Sequence, residues 1–147
     1  MENLSAEKKM FAAYVLIITP AGILLIKERA EPSVWKFPGG KGRGQLGRPF
    51  SSEDVEHTAI MKVREKTGFC LQQCALRLFL KRNRGTHDFF LFTVQTPHTP
   101  TLFDRGKKVW EVRFFSPQEI REMRDTVRPA HFTLITQVLT SMNTATM

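Results

Sequence analysis

Three charged residues near the end of one helical segment carry the most suggestive chemistry in this 147-residue chain: Lys62, Glu65 and Lys66. At about 100° per residue they share one sector of the helix, beside the apolar stripe Val55, Ala59 and Val63. Lysine supplies three hydrogen-bond donors and no acceptor, so the pair suits an anion such as phosphate. Glu65 supplies the oxygen that a hard cation requires. The two lysines, four apart, repel each other by a few tenths of a kcal/mol on a bare helix, and Glu65 offsets part of that. The same spacing is equally readable as a solvated charged face. Other chemical signals are weaker. Gly42-Arg-Gly-Gln-Leu-Gly47 matches a dinucleotide fingerprint but follows no clear strand, and Pro49 interrupts its approach to the helix. His57, His87, His98 and His131 are scattered, and Cys70 and Cys74 make neither a zinc site nor a disulfide framework. No Gly-x-Ser-x-Gly elbow or Cys–His signature is present.

These residues need a scaffold, and the flanking sequence describes one. Phe11–Thr19 is β-branched and apolar, Pro20-Ala-Gly22 is a turn, and Ile23–Arg29 completes a hairpin. Residues 30–49, rich in Pro and Gly, read as a loop. Ser51 opens the helix with Asp54 answering at its third position, and Gly68 closes it in a left-handed cap. Leu76–Lys81, Asp88–Gln95 and Val109–Phe115 read as strands. Ser116-Pro-Gln-Glu-Ile120 starts a helix, and Pro129–Met142 is an amphipathic one. Strands on both sides of one central helix predict an α/β sandwich with a mixed sheet. Phe89/Phe90 and Phe114/Phe115 are expected to pack in the core and its second layer.

Trp35-Lys-Phe-Pro-Gly-Gly-Lys41, followed by a helix ending Arg64-Glu-Lys-Thr-Gly-Phe69, resembles the Nudix hydrolase family. The opening hairpin and Glu111–Ile120 are similar to that family's flanking parts. The resemblance implies a Nudix-like α/β/α sandwich, with a tail over residues 1–10 and a single domain over 11–147. It also implies cleavage of nucleoside diphosphates linked to another group, with Mg²⁺ or Mn²⁺ held on a helix of the form G-x5-E-x7-R-E-U-x-E-E-x-G-U. Counting back from Gly68, the family's Arg falls on Met61 and its helical acids on Lys62, Glu65 and Lys66. Strict spacing places the leading Gly and Glu on Gly47 and Glu53, so the loop after Gly40 carries seven extra residues. Two of three acids have become lysine, which turns an anionic metal cradle into a site that repels cations.

The leading expectation is therefore a Nudix-family protein that binds a nucleotide or another phosphate-bearing ligand, with its metal-dependent hydrolysis weakened or lost. Lys62 and Lys66 would take the place of the metals, and Arg29, Gly39, Gly40 and Lys41 would contribute from the sheet side. An alternative is a working pyrophosphohydrolase in which Glu65 and Glu111 hold one Mg²⁺ or Mn²⁺ and perform the catalysis. Glu53 and Glu56 are then simple first-turn acids. A third reading is a non-catalytic RNA- or protein-binding module using three basic loops: the Gly-rich insertion with Lys41, Arg43 and Arg48, and the turns Lys81–Arg84 and Arg105–Lys108.

Composition bounds these readings. A hydrophobic content of 41% with twelve Phe supports a real core and argues against disorder. The longest apolar run, Ala12–Ile18, is strand-sized, and the N-terminus does not read as a signal peptide, so a cytoplasmic protein without a membrane partner is expected. The formal net charge is +8, of which restoring two glutamates at 62 and 66 would remove four units.

Overall fold

The computed structural model describes residues 10–102 and 108–146, with side chains placed as far as Met142. Apart from Met10, the expected tail lies outside the described residues, as does most of the Arg105–Lys108 cluster. The hairpin forms as β1 (Met10–Thr19) and β2 (Gly22–Glu28), and the helix as α1 (Ser52–Thr67). β5 (Arg77–Asn83), β6 (Asp88–Gln95), β7 (Val109–Phe115), α2 (Pro117–Glu122) and α3 (Pro129–Thr146) follow the expected pattern to within a few residues. Among the described residues, no helix is long and apolar enough to cross a membrane.

The stretch read as a loop is the correction. It contains two strands, β3 (Glu31–Lys36) and β4 (Gly39–Arg43). Both obtain their extended form from pairing rather than from their own composition. β3 lies on the edge of the sheet beside β2, where Pro32 need not donate to a central ladder. β4 pairs antiparallel with the opening half of β1, from Met10↔Arg43 to Tyr14↔Gly39. Its glycines are explained by close approach: a Cβ on Gly42 would lie 2.6 Å from Phe11 Cζ and 2.7 Å from Thr58 Oγ1. Between them Phe37 and Pro38 are irregular, and residues 44–51 are too, apart from a short 3-10 turn at Gln45–Gly47.

The sheet has seven strands in the order β3-β2-β1-β6-β5, with β4 also on β1 and β7 also on β2. β1 and β6 run parallel in register from Phe11↔Asp88 to Ile18↔Gln95, and the other pairings are antiparallel, so the sheet is mixed. β1 touches β2 only at Ile18–Ile23 and Thr19–Gly22 before giving its first half to β4. The sheet therefore splits, and the Gly-rich strand fills the gap beneath α1.

Alternation sends successive side chains to opposite layers. Phe11, Ala13, Val15 and Ile17 meet Val55, Ala59 and Val63 of α1 on one face. Ala12, Leu16, Leu25 and Phe37 meet Leu134, Ile135 and Val138 of α3 on the other. Neighbouring phenylalanines split between the layers, Phe89 toward α3 and Phe90 toward α1. Each fully buried aliphatic or Phe side chain contributes about 1.5–3 kcal/mol of transfer free energy. That burial fixes α1 against the sheet and thereby fixes the direction of Lys62 and Lys66.

Candidate functional site

The register of α1 is set at both ends. Ser51 accepts from the Asp54 N–H while the Asp54 carboxylate accepts from the Ser51 N–H, a reciprocal capping box. At the other end Gly68 adopts φ 80°, and its N–H donates to Arg64 O. Thr67 is fully buried and its hydroxyl donates to Val63 O, so the last turn is firmly seated.

This places Lys66 over the start of β4. Its Nζ donates to Gly39 O at 2.5 Å and to Glu28 Oε2 at 2.5 Å. The other Glu28 oxygen accepts from Lys36 Nζ, and the three side chains are only 17%, 8% and 12% exposed for Glu28, Lys36 and Lys66 respectively. Burial alone pushes the Glu28 carboxyl up, but hydrogen bonds from Lys36 and Lys66 outweigh it and hold the group below the usual carboxylate value. Burial pushes the Lys66 ammonium down; the Glu28 bond opposes this, while the charges on Lys36 and Lys62 reinforce it. Lys62 lies one turn earlier, with its stem packed over Gly40 and its Nζ 3.8 Å from Glu65 Oε1. A Cβ on Gly40 would approach Lys62 Cδ to 3.2 Å, so the bare glycine lets the lysine lie flat on β4.

The Pro-Gly-Gly segment is held from the other face. Phe37 N–H donates to His131 Nδ1 at 3.1 Å, and the two rings stack with centroids 4.4 Å apart at 15°. Burial, aided by the charges of Arg128, Lys36 and Arg84, pulls the His131 imidazole down to about 3, so the ring is a neutral acceptor. Gly39 has φ 149°, and a Cβ there would lie 2.3 Å from Ala13 O. Its carbonyl is thus fixed by backbone geometry to face Lys66.

The expected site residues separate into two groups. Lys62, Lys66, Gly39 and Gly40 come together, with Glu65 at the exposed rim. Lys41 does not join them: it pairs with Ala12 and shares the α3-side face. Arg29 stands over Trp110, 5.2 Å from the ring, and its N–H donates to Lys108 O. Glu111 pairs across the ladder with Lys27 and bonds Arg113 at 2.5 Å. Lys27 and Arg113 both lie over Trp35 of the α3-side core, so Glu111 is on the sheet face opposite Glu65. The fold does not bring those two carboxylates together. Glu53 is in the first turn of α1 as expected, whereas Glu56 lies beyond that turn and accepts from Gln73 Nε2.

Glu28 and Lys36 were missed in the sequence. Their signal was faint: an acid ending an otherwise apolar strand, and a lysine between Trp35 and Phe37. Together the site has three ammoniums against two carboxylates, one net positive charge. Glutamates at 62 and 66 would make it one ammonium against four carboxylates. A divalent ion does not fit the residues present. Lys66 Nζ already occupies the space between Gly39 O and Glu28, and Lys62 repels a second cation. Among the described residues no cluster of three or more His, Cys, Asp or Glu could hold a metal.

A split mixed sheet between two helical layers, with a Gly-rich strand under the end of one helix, defines an α/β/α sandwich of the Nudix type. The NUDIX domain family model matches residues 8–138, and the chain belongs to the Nudix family. Solved structures share the fold. The Nudix domain of Shewanella oneidensis NrtR, complexed with ADP ribose, superposes with a TM-score of 0.70 at 16% identity, covering 97% of this chain and 94% of that one. A bifunctional NMN adenylyltransferase/ADP ribose pyrophosphatase from Francisella tularensis, complexed with AMP and a Mn ion, gives 0.66 at 18% identity. That match covers 92% of this chain but 42% of the Francisella chain. A Caenorhabditis elegans Ap4A hydrolase gives 0.60 at 14%, covering 90% and 98%. Comparison with curated proteins finds no match.

Proposed function

We propose that this Nudix domain binds a nucleoside-diphosphate-type ligand without a metal ion and does not hydrolyse it. The observation that carries the reading is the Lys66 ammonium, held between Gly39 O and Glu28 at positions where the family resemblance implies metal-binding acids. Lys66 spends two of its three donors on those partners and keeps one. Lys62, a quarter exposed and braced along Gly40, offers its ammonium one turn before Lys66 on the same helix. ADP ribose in the Shewanella neighbour and AMP in the Francisella neighbour support a nucleotide as the ligand class.

Hydrogen bonds to charged groups are worth about 1.5–3 kcal/mol, so Lys62→Met is expected to weaken ADP-ribose binding roughly tenfold or more. The hydrolytic half of the proposal is tested by assaying a panel of nucleoside diphosphate derivatives with Mg²⁺ and Mn²⁺. Wild type is expected to be inactive, with turnover arising in Lys62→Glu/Lys66→Glu. Robust metal-dependent turnover by wild type that Glu65→Gln abolishes would refute it.

A further inference from the structure

The strand β5 closes one end of the sheet, and among the described residues it pairs with β6 alone. Its outer side is therefore an edge on which a further strand can pair through main-chain hydrogen bonds. The register with β6 sorts its side chains, since directly opposed residues share a face. Leu78, opposite Phe92, and Lys81, opposite Phe90, stand on the α1 side. Arg77, opposite Thr93, and Arg82, opposite Phe89, stand on the α3 side with Leu80, which opposes Leu91. The register slips between Leu78 and Leu80, where Phe79 joins Leu80 in packing on the α3-side core.

Arg77 and Arg82 are exposed, and among the described residues neither forms an ion pair. Lys81 stands 3.9 Å from Asp88 of β6, and β5 itself carries no acid. On the other face Leu78 leaves 55% of its surface exposed. The edge thus offers guanidinium groups on one face and an apolar side chain on the other. A second copy of β5 is a poor occupant. Two such strands bring Arg77, Lys81 and Arg82 of each copy together with no acid on either, and like charges across a ladder destabilise it. The bulge and the cations guard the edge against self-pairing, whereas an acidic strand meets them with complementary charge.

We propose that the β5 edge takes up an extended acidic segment of a partner protein as an added strand. Main-chain hydrogen bonds supply the common part of the affinity, and the side chains select the sequence. Glutamate or aspartate on one face of the segment meets Arg77 and Arg82, and a β-branched apolar residue on the other covers Leu78. None of these residues belongs to the Lys62–Lys66 site, so this proposal and the nucleotide-binding one stand or fall independently.

The test is fluorescence anisotropy at low salt with a labelled ten-residue peptide that alternates glutamate with valine, and so carries all its acids on one face of a strand. A peptide of the same composition with its glutamates and valines in two separate blocks, and a single-stranded oligo-U, serve as comparisons. The alternating peptide should bind tightest, and amide hydrogen exchange should slow along β5 while the other edge strand, β7, is unchanged. Arg77→Ala/Arg82→Ala should weaken binding roughly 2- to 30-fold, the range for two exposed ion pairs, whereas Arg121→Ala/Arg124→Ala, on and beside α2, should leave it unchanged. No binding, equal binding of the block peptide, unaltered exchange in β5, or an equal loss in the α2 variant would overturn the proposal. Tighter binding of oligo-U would overturn it in favour of nucleic acid. A dimer of the free protein with its β5 amides already protected would overturn it in favour of a second copy.

Discussion

Neutralising Glu28 tests whether the lysine cage is a buried structural unit. Glu28→Gln keeps the side chain's size but leaves Lys36 and Lys66 facing each other without their shared counter-charge. Breaking a buried pair costs about 3–5 kcal/mol because the remaining charge is uncompensated. With side-chain exposures of 17%, 8% and 12%, the site is nearly but not wholly dry, which places the cost near 3 kcal/mol. For a domain of this size that corresponds to a melting point lowered by roughly 6–12 °C. Urea titration at pH 7 reads the free energy directly and thermal melting checks it. Adding Lys66→Met to the variant removes one of the two opposed ammoniums and should recover most of the loss, giving a large coupling energy in the double-mutant cycle. A Glu28→Gln cost below about 1 kcal/mol, or an additive cycle, would show that the three groups are solvated independently, and the reasoning would fail.

Three further outcomes follow from the same geometry. Lys66→Glu places a second carboxylate against Glu28 and Gly39 O, so the variant should melt lower than wild type in EDTA and be restored by Mn²⁺ while wild type is indifferent to the metal; equal responses would contradict the cage. His131, at about 3 in the fold against an ordinary 6.5, leaves stability full above pH 6.5 and lowers it as the unfolded chain takes up the proton below that. The loss is about 2 kcal/mol by pH 5, and His131→Asn, whose amide oxygen can accept the Phe37 N–H, should flatten the urea-measured slope. Gly42→Ala drives a methyl toward Phe11 and Thr58 and should cost about 1–3 kcal/mol by urea titration.

Much of the fold was legible because its signals are local. The Ser51–Asp54 box and the left-handed Gly68 are chemical markers that act within one turn, and they bounded α1 correctly. The apolar runs of β1 and β6 announced central strands because both their faces are buried. β3 and β4 were hidden because Pro32 and the glycines 39, 40 and 42 carry loop-like composition; their strand form comes from β2, β1 and the close approach of α1. The site was half legible for the same reason. Lys62 and Lys66 announce themselves through helical spacing, but Glu28 and Lys36 reach them only through tertiary packing across 38 and 30 residues of chain. The pairing of Glu65 with Glu111 was reasonable in sequence and is undone by a two-residue alternation that sends Glu111 to the other face. The same alternation sends Lys41 to the face opposite Lys62 and Lys66.

The central claim is that ammonium groups do in this domain what a metal ion does in its hydrolytic relatives. The most direct measurement is an isothermal titration of ADP-ribose into wild-type protein, run once in excess EDTA and once in Mn²⁺, with Lys62→Met alongside. The account predicts the same affinity in both buffers for wild type and a roughly tenfold or greater loss in the variant under either. Binding that appears only with Mn²⁺ and vanishes in EDTA would contradict it.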